Sequence, residues 1–119
     1  MFFYNSLTGE FKHDGLHLGY GYSGNGVSKN TPSDESVPMH GPIPRGVWTI
    51  GDPYNDPHLG PVVMHLDPKS GTNTFGRSLF RIHGDSIEHP GDASDGCVIL
   101  PLTLRKLIAM SSERLLTVL

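Results

Sequence analysis

The chain has 119 residues, a formal net charge of −3 and an isoelectric point near 6.1. That length supports one domain spanning residues 1–119 with a modest core. The mildly acidic balance and the lack of a basic stripe argue against a nucleic-acid partner, and no apolar run approaches the ~18 residues of a membrane span. The 15 glycines and 10 prolines make up about a fifth of the chain, against roughly 12% on average, which favours short strands and tight turns over a helical bundle. A single cysteine, Cys97, excludes an intramolecular disulfide.

Read in chain order, Phe2–Tyr4 is a short apolar run, and Glu10-Phe11-Lys12-His13 leads into Asp14-Gly15, a strong hairpin signal. Leu16 to Tyr22 alternates with period two, so residues 2–22 are predicted to form a β-meander. Residues 23–45 are polar and turn-rich, a length of loop that is usually functional or mobile in a small domain. Val47–Ile50 and Pro61–Leu66 are predicted strands, separated by a second loop over residues 52–60. Phe75–Ile82 leads as an apolar run to His83, and Cys97–Leu100 leads away from a Gly-rich stretch. The one helix is predicted over 102–112, with Pro101 at its start and Leu104, Leu107 and Ile108 on one apolar face. Residues 114–119 are a last strand, and Trp48 is expected in the core.

The chemistry concentrates in His83-Gly84 and Ser94-Asp95-Gly96-Cys97. A thiol is the most nucleophilic side chain near neutral pH, and an imidazole is its usual activating base. Cys97 would attack, with His83 as general base, stabilising the thiolate as an ion pair, and later as general acid. Gly84 would free its carbonyl to orient the imidazole, and Gly96 would turn the backbone so that nearby N–H groups face a developing oxyanion. Asp85, Glu88, Asp92 and Asp95 crowd the intervening loop and would raise the His83 pKa while disfavouring a nearby thiolate. On these residues alone two other readings stay open. One is a small buried cysteine beside a structural histidine. The other is a metal site from His83, His89, Cys97 and a loop carboxylate, whose His and Cys spacing matches no common zinc pattern. The remaining histidines show no spacing that suggests a site.

This stretch resembles the catalytic signature of the L,D-transpeptidase (YkuD-like) group: His-Gly, a loop, then Ser-x-Gly-Cys. Upstream, Gly41-Pro42-Ile43-Pro44-Arg45-Gly46-Val47-Trp48-Thr49-Ile50 is similar to the segment preceding the active site in that group. Gly21-Tyr22-Ser23-Gly24-Asn25-Gly26 with Lys29-Asn30 is similar to one branch, the Tlde1 family of type VI secretion effectors. The resemblance runs over roughly residues 4–118. It implies that Tyr22 and Ser23 line the substrate cleft, that Ser94 and Asp95 touch substrate or shape the loop, and that Arg45 is placed to bind a stem-peptide carboxylate. One departure stands out: the Arg two residues after the cysteine in that group is Ile99 here, with Arg45, Arg77, Arg81 and Arg105 as candidates to replace it.

The expected fold is therefore mainly β, a YkuD-like β-sandwich with one C-terminal α-helix. The expected activity is L,D-carboxypeptidase and D-amino-acid exchange on peptidoglycan tetrapeptide stems through a thioester, with no metal and no organic cofactor. The alternatives are a housekeeping transpeptidase that forms cross-links and a non-catalytic peptidoglycan-binding module. The resemblance further implies a secretion-system delivery component, a periplasmic immunity protein and action in a target-cell periplasm. Met1–Ser6 lacks a basic segment and a long apolar segment, so no signal peptide is predicted. A monomer that binds neither nucleic acid nor membrane is expected.

Overall fold

A computed structural model describes all 119 residues. At Asp14-Gly15 both φ angles are positive, 48° and 84°, as a tight two-residue hairpin turn requires. That turn joins β2 (Glu10–His13) to β3 (Leu16–Tyr20), and β2 also pairs antiparallel with β1 (Phe2–Tyr4). The predicted meander ends there, because β4 (Tyr22–Ser23) leaves it and pairs with a distant strand, β9 (Val98–Ile99). Residues 23–45 form no strand beyond Ser23 and hold two short 3₁₀ turns, Gly26–Ser28 and Pro32–Asp34.

The middle of the chain supplies β5 (Gly46–Ile50), β6 (Tyr54–Asp56), β7 (Gly60–Pro68) and β8 (Phe80–His83). β6 lies inside the segment read from sequence as a loop. It is too short and too polar to signal itself, and it exists because β7 offers it an edge. The apolar run beginning at Phe75 becomes a strand only at Phe80, because Phe75 and Leu79 take positive φ angles of 56° and 65°. The chain closes with α1 (Leu102–Met110) and β10 (Leu115–Val118).

The strands lie in the order β3-β2-β1-β10-β5-β7-β8-β9-β4, with β6 on β7. β3 and β4 stand at opposite ends of that order yet adjoin in sequence across Gly21, so the sheet curls nearly to closure. The expected mainly-β architecture with one C-terminal helix is observed, its strands joined in one continuous sheet. Sixteen buried side chains fill one core, among them Phe2, Phe11, Trp48, Ile82, Val98 and Leu116. Trp48 is fully buried, donates its indole N–H to the Pro44 carbonyl at 3.1 Å and packs edge-on against Phe80.

The helix turns a face other than the expected one. Leu104 and Ile108 are buried, but Leu107 is 40% exposed and Arg105 is buried in its place. The reason is polar: Arg105 Nε donates to the Leu100 carbonyl at 3.0 Å and its Nη1 reaches the Pro61 carbonyl. A buried guanidinium with those acceptors outweighs one more leucine contact.

Candidate active site

β8 and β9 lie side by side and parallel, with Ile82 opposite Val98 and His83 opposite Ile99. Parallel neighbours need a long crossover, and residues 84–97 supply it without a helix. Side chains alternate along a strand and registered partners share a face. Ile82 and Val98 therefore point together into the core, while Arg81 and His83 share the other face with Cys97, one step before β9.

His83 is 3% exposed. Its Nδ1 bonds the Gly84 carbonyl at 2.8 Å. A carbonyl only accepts, so Nδ1 carries the proton and Nε2 is left as the free acceptor. This is the orienting role expected of Gly84. Glycine is also needed there for space, since a Cβ would stand 2.6 Å from the Arg105 guanidinium. The Cys97 thiol is partly exposed and points to the Leu79 carbonyl, 3.8 Å away. His83 and Cys97 both line one open cavity of about 490 Å³, together with Arg77, Arg81, Asp95 and Gly96.

The comparison with known families bears on this pair. Residues 19–114 match the model of the Tlde1 domain. The chain belongs to the Tlde1 domain family. No curated protein and no solved structure matches it.

In this Tlde1 domain the electrostatics of the pair run against a resting ion pair. Burial holds the His83 imidazole below its ordinary 6.5, and the guanidiniums of Arg105 and Arg81 push the same way, against the Gly84 carbonyl and Asp56. Burial raises the Cys97 thiol above its ordinary 9.0, with the Asp95 carboxylate adding to it and the Arg81 amide and the Arg81 and Arg77 charges opposing. Both shifts favour the neutral forms, a protonated thiol and a free imidazole on one cavity wall. The acidic loop does not supply the balance expected of it near His83. Asp85 is turned to the Tyr22 hydroxyl at 2.6 Å and to the Gly91 N–H at 3.0 Å, and the carboxylate that acts on His83 is Asp56 of β6.

The loop carrying Cys97 is wired by residues that the sequence suggested as substrate contacts. Ser94 is buried; its hydroxyl donates to the Cys97 carbonyl at 2.6 Å and accepts from the N–H groups of Gly24 (2.9 Å) and Gly96 (3.1 Å). Its one donor and both lone pairs are in use, and the Gly96 amide is taken from any oxyanion. Ser23 is likewise buried, donating to the Gly96 carbonyl and accepting from Ile43 N–H. The Tyr22 hydroxyl donates to Asp85 and accepts from Ala93 N–H at 2.9 Å, while Lys29 lies over its ring. Gly96 has φ 138°, and a Cβ there would stand 2.5 Å from Arg77 Nη2.

Arg45 is not brought to the cavity. Its guanidinium and backbone N–H both bond Glu35. Arg77 is the cation against the loop, donating to the carbonyls of Glu35, Gly41, Pro42 and Asp95. Asn25, quoted in the upstream motif but given no role there, also joins the site: its amide donates to the Ser94 and Met39 carbonyls, both at 2.8 Å, and ties the Cys97 loop to the cavity rim. Arg81 had a usable signal, the alternation Phe80-Arg81-Ile82-His83 that puts it on the face of His83. Arg77 and Asn25 lie in irregular segments, where no period marks a direction. Elsewhere, His13, Asp14 and Glu113 gather at the surface, apart from this cavity, and pair with one another and the N-terminal ammonium.

Proposed function

We propose that this Tlde1 domain is a cysteine acyl-transfer enzyme of a type VI effector, acting on peptidoglycan stem peptides in a target-cell periplasm as an L,D-carboxypeptidase and D-amino-acid exchange enzyme. One observation carries the reading: a histidine whose tautomer leaves Nε2 free shares a sheet face and an open cavity with the chain's one thiol. Family membership and the resemblance to L,D-transpeptidases supply the substrate class.

The thiol turns from Leu79 toward His83, and Nε2 takes its proton as Sγ attacks the carbonyl of the stem's third residue. The C–N bond to the terminal D-alanine breaks, and the imidazolium returns the proton to the departing amine. A thioester remains, which water or a D-amino acid then resolves. Because both groups rest neutral, His83 acts as a true general base and charge develops only in the transition state. Arg77, pinned beside Gly96 with no carboxylate partner, adds a fixed positive charge near the developing oxyanion. Such an enzyme removes the donor stems that cross-linking requires, and its producer needs an immunity protein in its own periplasm and a delivery component of the secretion apparatus.

The test is incubation of the purified protein with disaccharide tetrapeptide, followed by mass analysis for disaccharide tripeptide and free D-alanine. Wild type releases both, Cys97→Ala releases neither, and His83→Ala falls by roughly 10²- to 10⁴-fold. Intact tetrapeptide after incubation with the folded wild type overturns the reading.

A further inference from the structure

Two guanidiniums, of Arg77 and Arg81, line the cavity that holds Cys97. The ion pairs of the protein engage Met1, Lys12, His13, His17 and Arg45, and neither of these two arginines. Arg77 spends its N–H groups on four backbone carbonyls and has none to offer a ligand's carboxylate in a fork. Arg81 is different. Its Nε is buried with no hydrogen-bond partner, the sole buried side-chain polar atom of the chain so placed. A buried donor without a partner loses its hydration and gains nothing in return, and such groups in native structures call for an explanation.

The nearby carboxylates do not meet it. Asp56 accepts from the amides of His58 and Leu59 at 2.8 and 2.9 Å, and Asp95 accepts from Asn25. The position of Arg81 is specific. One step before the Ile82–Val98 pair, it is the cross-strand neighbour of Cys97, about 4.8 Å of strand spacing away. The carboxylate of a C-terminal residue lies one residue beyond the carbonyl under attack, about 3.8 Å along the chain. A guanidinium beside the nucleophile therefore reaches the free carboxylate of a leaving group of a single residue, and the fork of a guanidinium matches a carboxylate's two oxygens.

We propose that Arg81 is the specificity residue of the site, binding the free α-carboxylate of the stem's terminal residue and restricting the enzyme to stems with one residue beyond the scissile bond. The proposal rests on the peptidase reading above. It assigns to β8 the cation missing at Ile99, placed on the strand of the base instead of after the nucleophile.

The test is binding, so that it does not depend on turnover. Cys97→Ala is titrated calorimetrically with disaccharide tetrapeptide and with its C-terminal carboxamide. The acid is expected to bind roughly 10- to 100-fold tighter than the amide. In Cys97→Ala/Arg81→Gln that preference disappears while the amide's affinity is unchanged, and an unchanged melting transition shows that the fold survives. Equal affinity of Cys97→Ala for acid and amide overturns the proposal, as does a preference that survives Arg81→Gln. Either result leaves the peptidase reading standing if wild type still releases D-alanine. Loss of D-alanine release with the acid preference intact removes the peptidase reading alone.

Discussion

Two influences act on the His83 imidazole in opposite directions. The Gly84 carbonyl orients the ring, and burial beside Arg105 and Arg81 keeps it neutral. Cys97 is also held neutral, by burial. A consequence is visible in the pH profile. In the proposed mechanism activity requires free imidazole, whose pKa is held below 6.5, so the acid limb of kcat/KM should have its midpoint below pH 6.5, where Nε2 protonates. Burial favours the protonated thiol, so the thiolate absorbance of Cys97 should be negligible at pH 7 and titrate with a midpoint above pH 9. A thiolate signal at pH 7 would mean a preformed ion pair and sink the general-base account. The same shift has a sign in stability: the unfolded chain takes up a proton at His83 near 6.5 while the folded one resists, so stability falls as pH drops through that range.

At the scale of elements, β8 ends on His83 and β9 begins just after Cys97, and the loop between them is held by a few side chains. Ser94 saturates its hydroxyl inside the turn, Ser23 bonds Gly96, and Tyr22 straps the loop through Asp85 and Ala93. Tyr22→Phe removes one charge-assisted bond and one amide acceptor and should cost about 2–3 kcal/mol of loop order. Amide exchange of residues 85–96 should accelerate at least tenfold while the amides of β1, β5 and β10 keep wild-type rates. Uniform acceleration across the sheet would show instead that Tyr22 supports the whole fold. The rim of the cavity carries strain of its own: Met39, Phe75 and Leu79 are exposed apolar residues with positive φ. Each such backbone costs of order 1 kcal/mol and persists only where surrounding structure holds it.

For the whole molecule the decisive strand is the last one. β10 lies between β1 and β5, parallel to the first and antiparallel to the second, with Phe2 opposite Leu116 and Trp48 opposite the same residue on the other side. Its removal would leave two unpaired edges and open the core at Phe2 and Trp48. Deletion of residues 114–119 should therefore abolish the cooperative thermal transition, as a domain with only about 5–15 kcal/mol to lose cannot spare a central strand. A truncated chain that still melts cooperatively would refute this view of the sheet. Joining residues 2 and 116 also requires closing nearly the full chain, a topology that folds slowly.

Much of this was legible in the residues alone. The Asp14-Gly15 turn, the strands at Val47–Ile50 and Pro61–Leu66 and the helix after Pro101 all follow from local preferences, which act within a few residues of one another, and the short motifs drew attention to His83 and Cys97, which line one cavity. Tertiary structure decided the rest. β6 forms only because β7 is beside it, Arg105 displaces Leu107 because two carbonyls await it, and Arg45 is drawn to Glu35 while Arg77 and Arg81 take the cavity. The protonation of His83 and Cys97 belongs to this second group. A pKa depends on burial and on charges brought near through space, and the cations that act on His83 come from α1 and β8, elements whose approach no local pattern records.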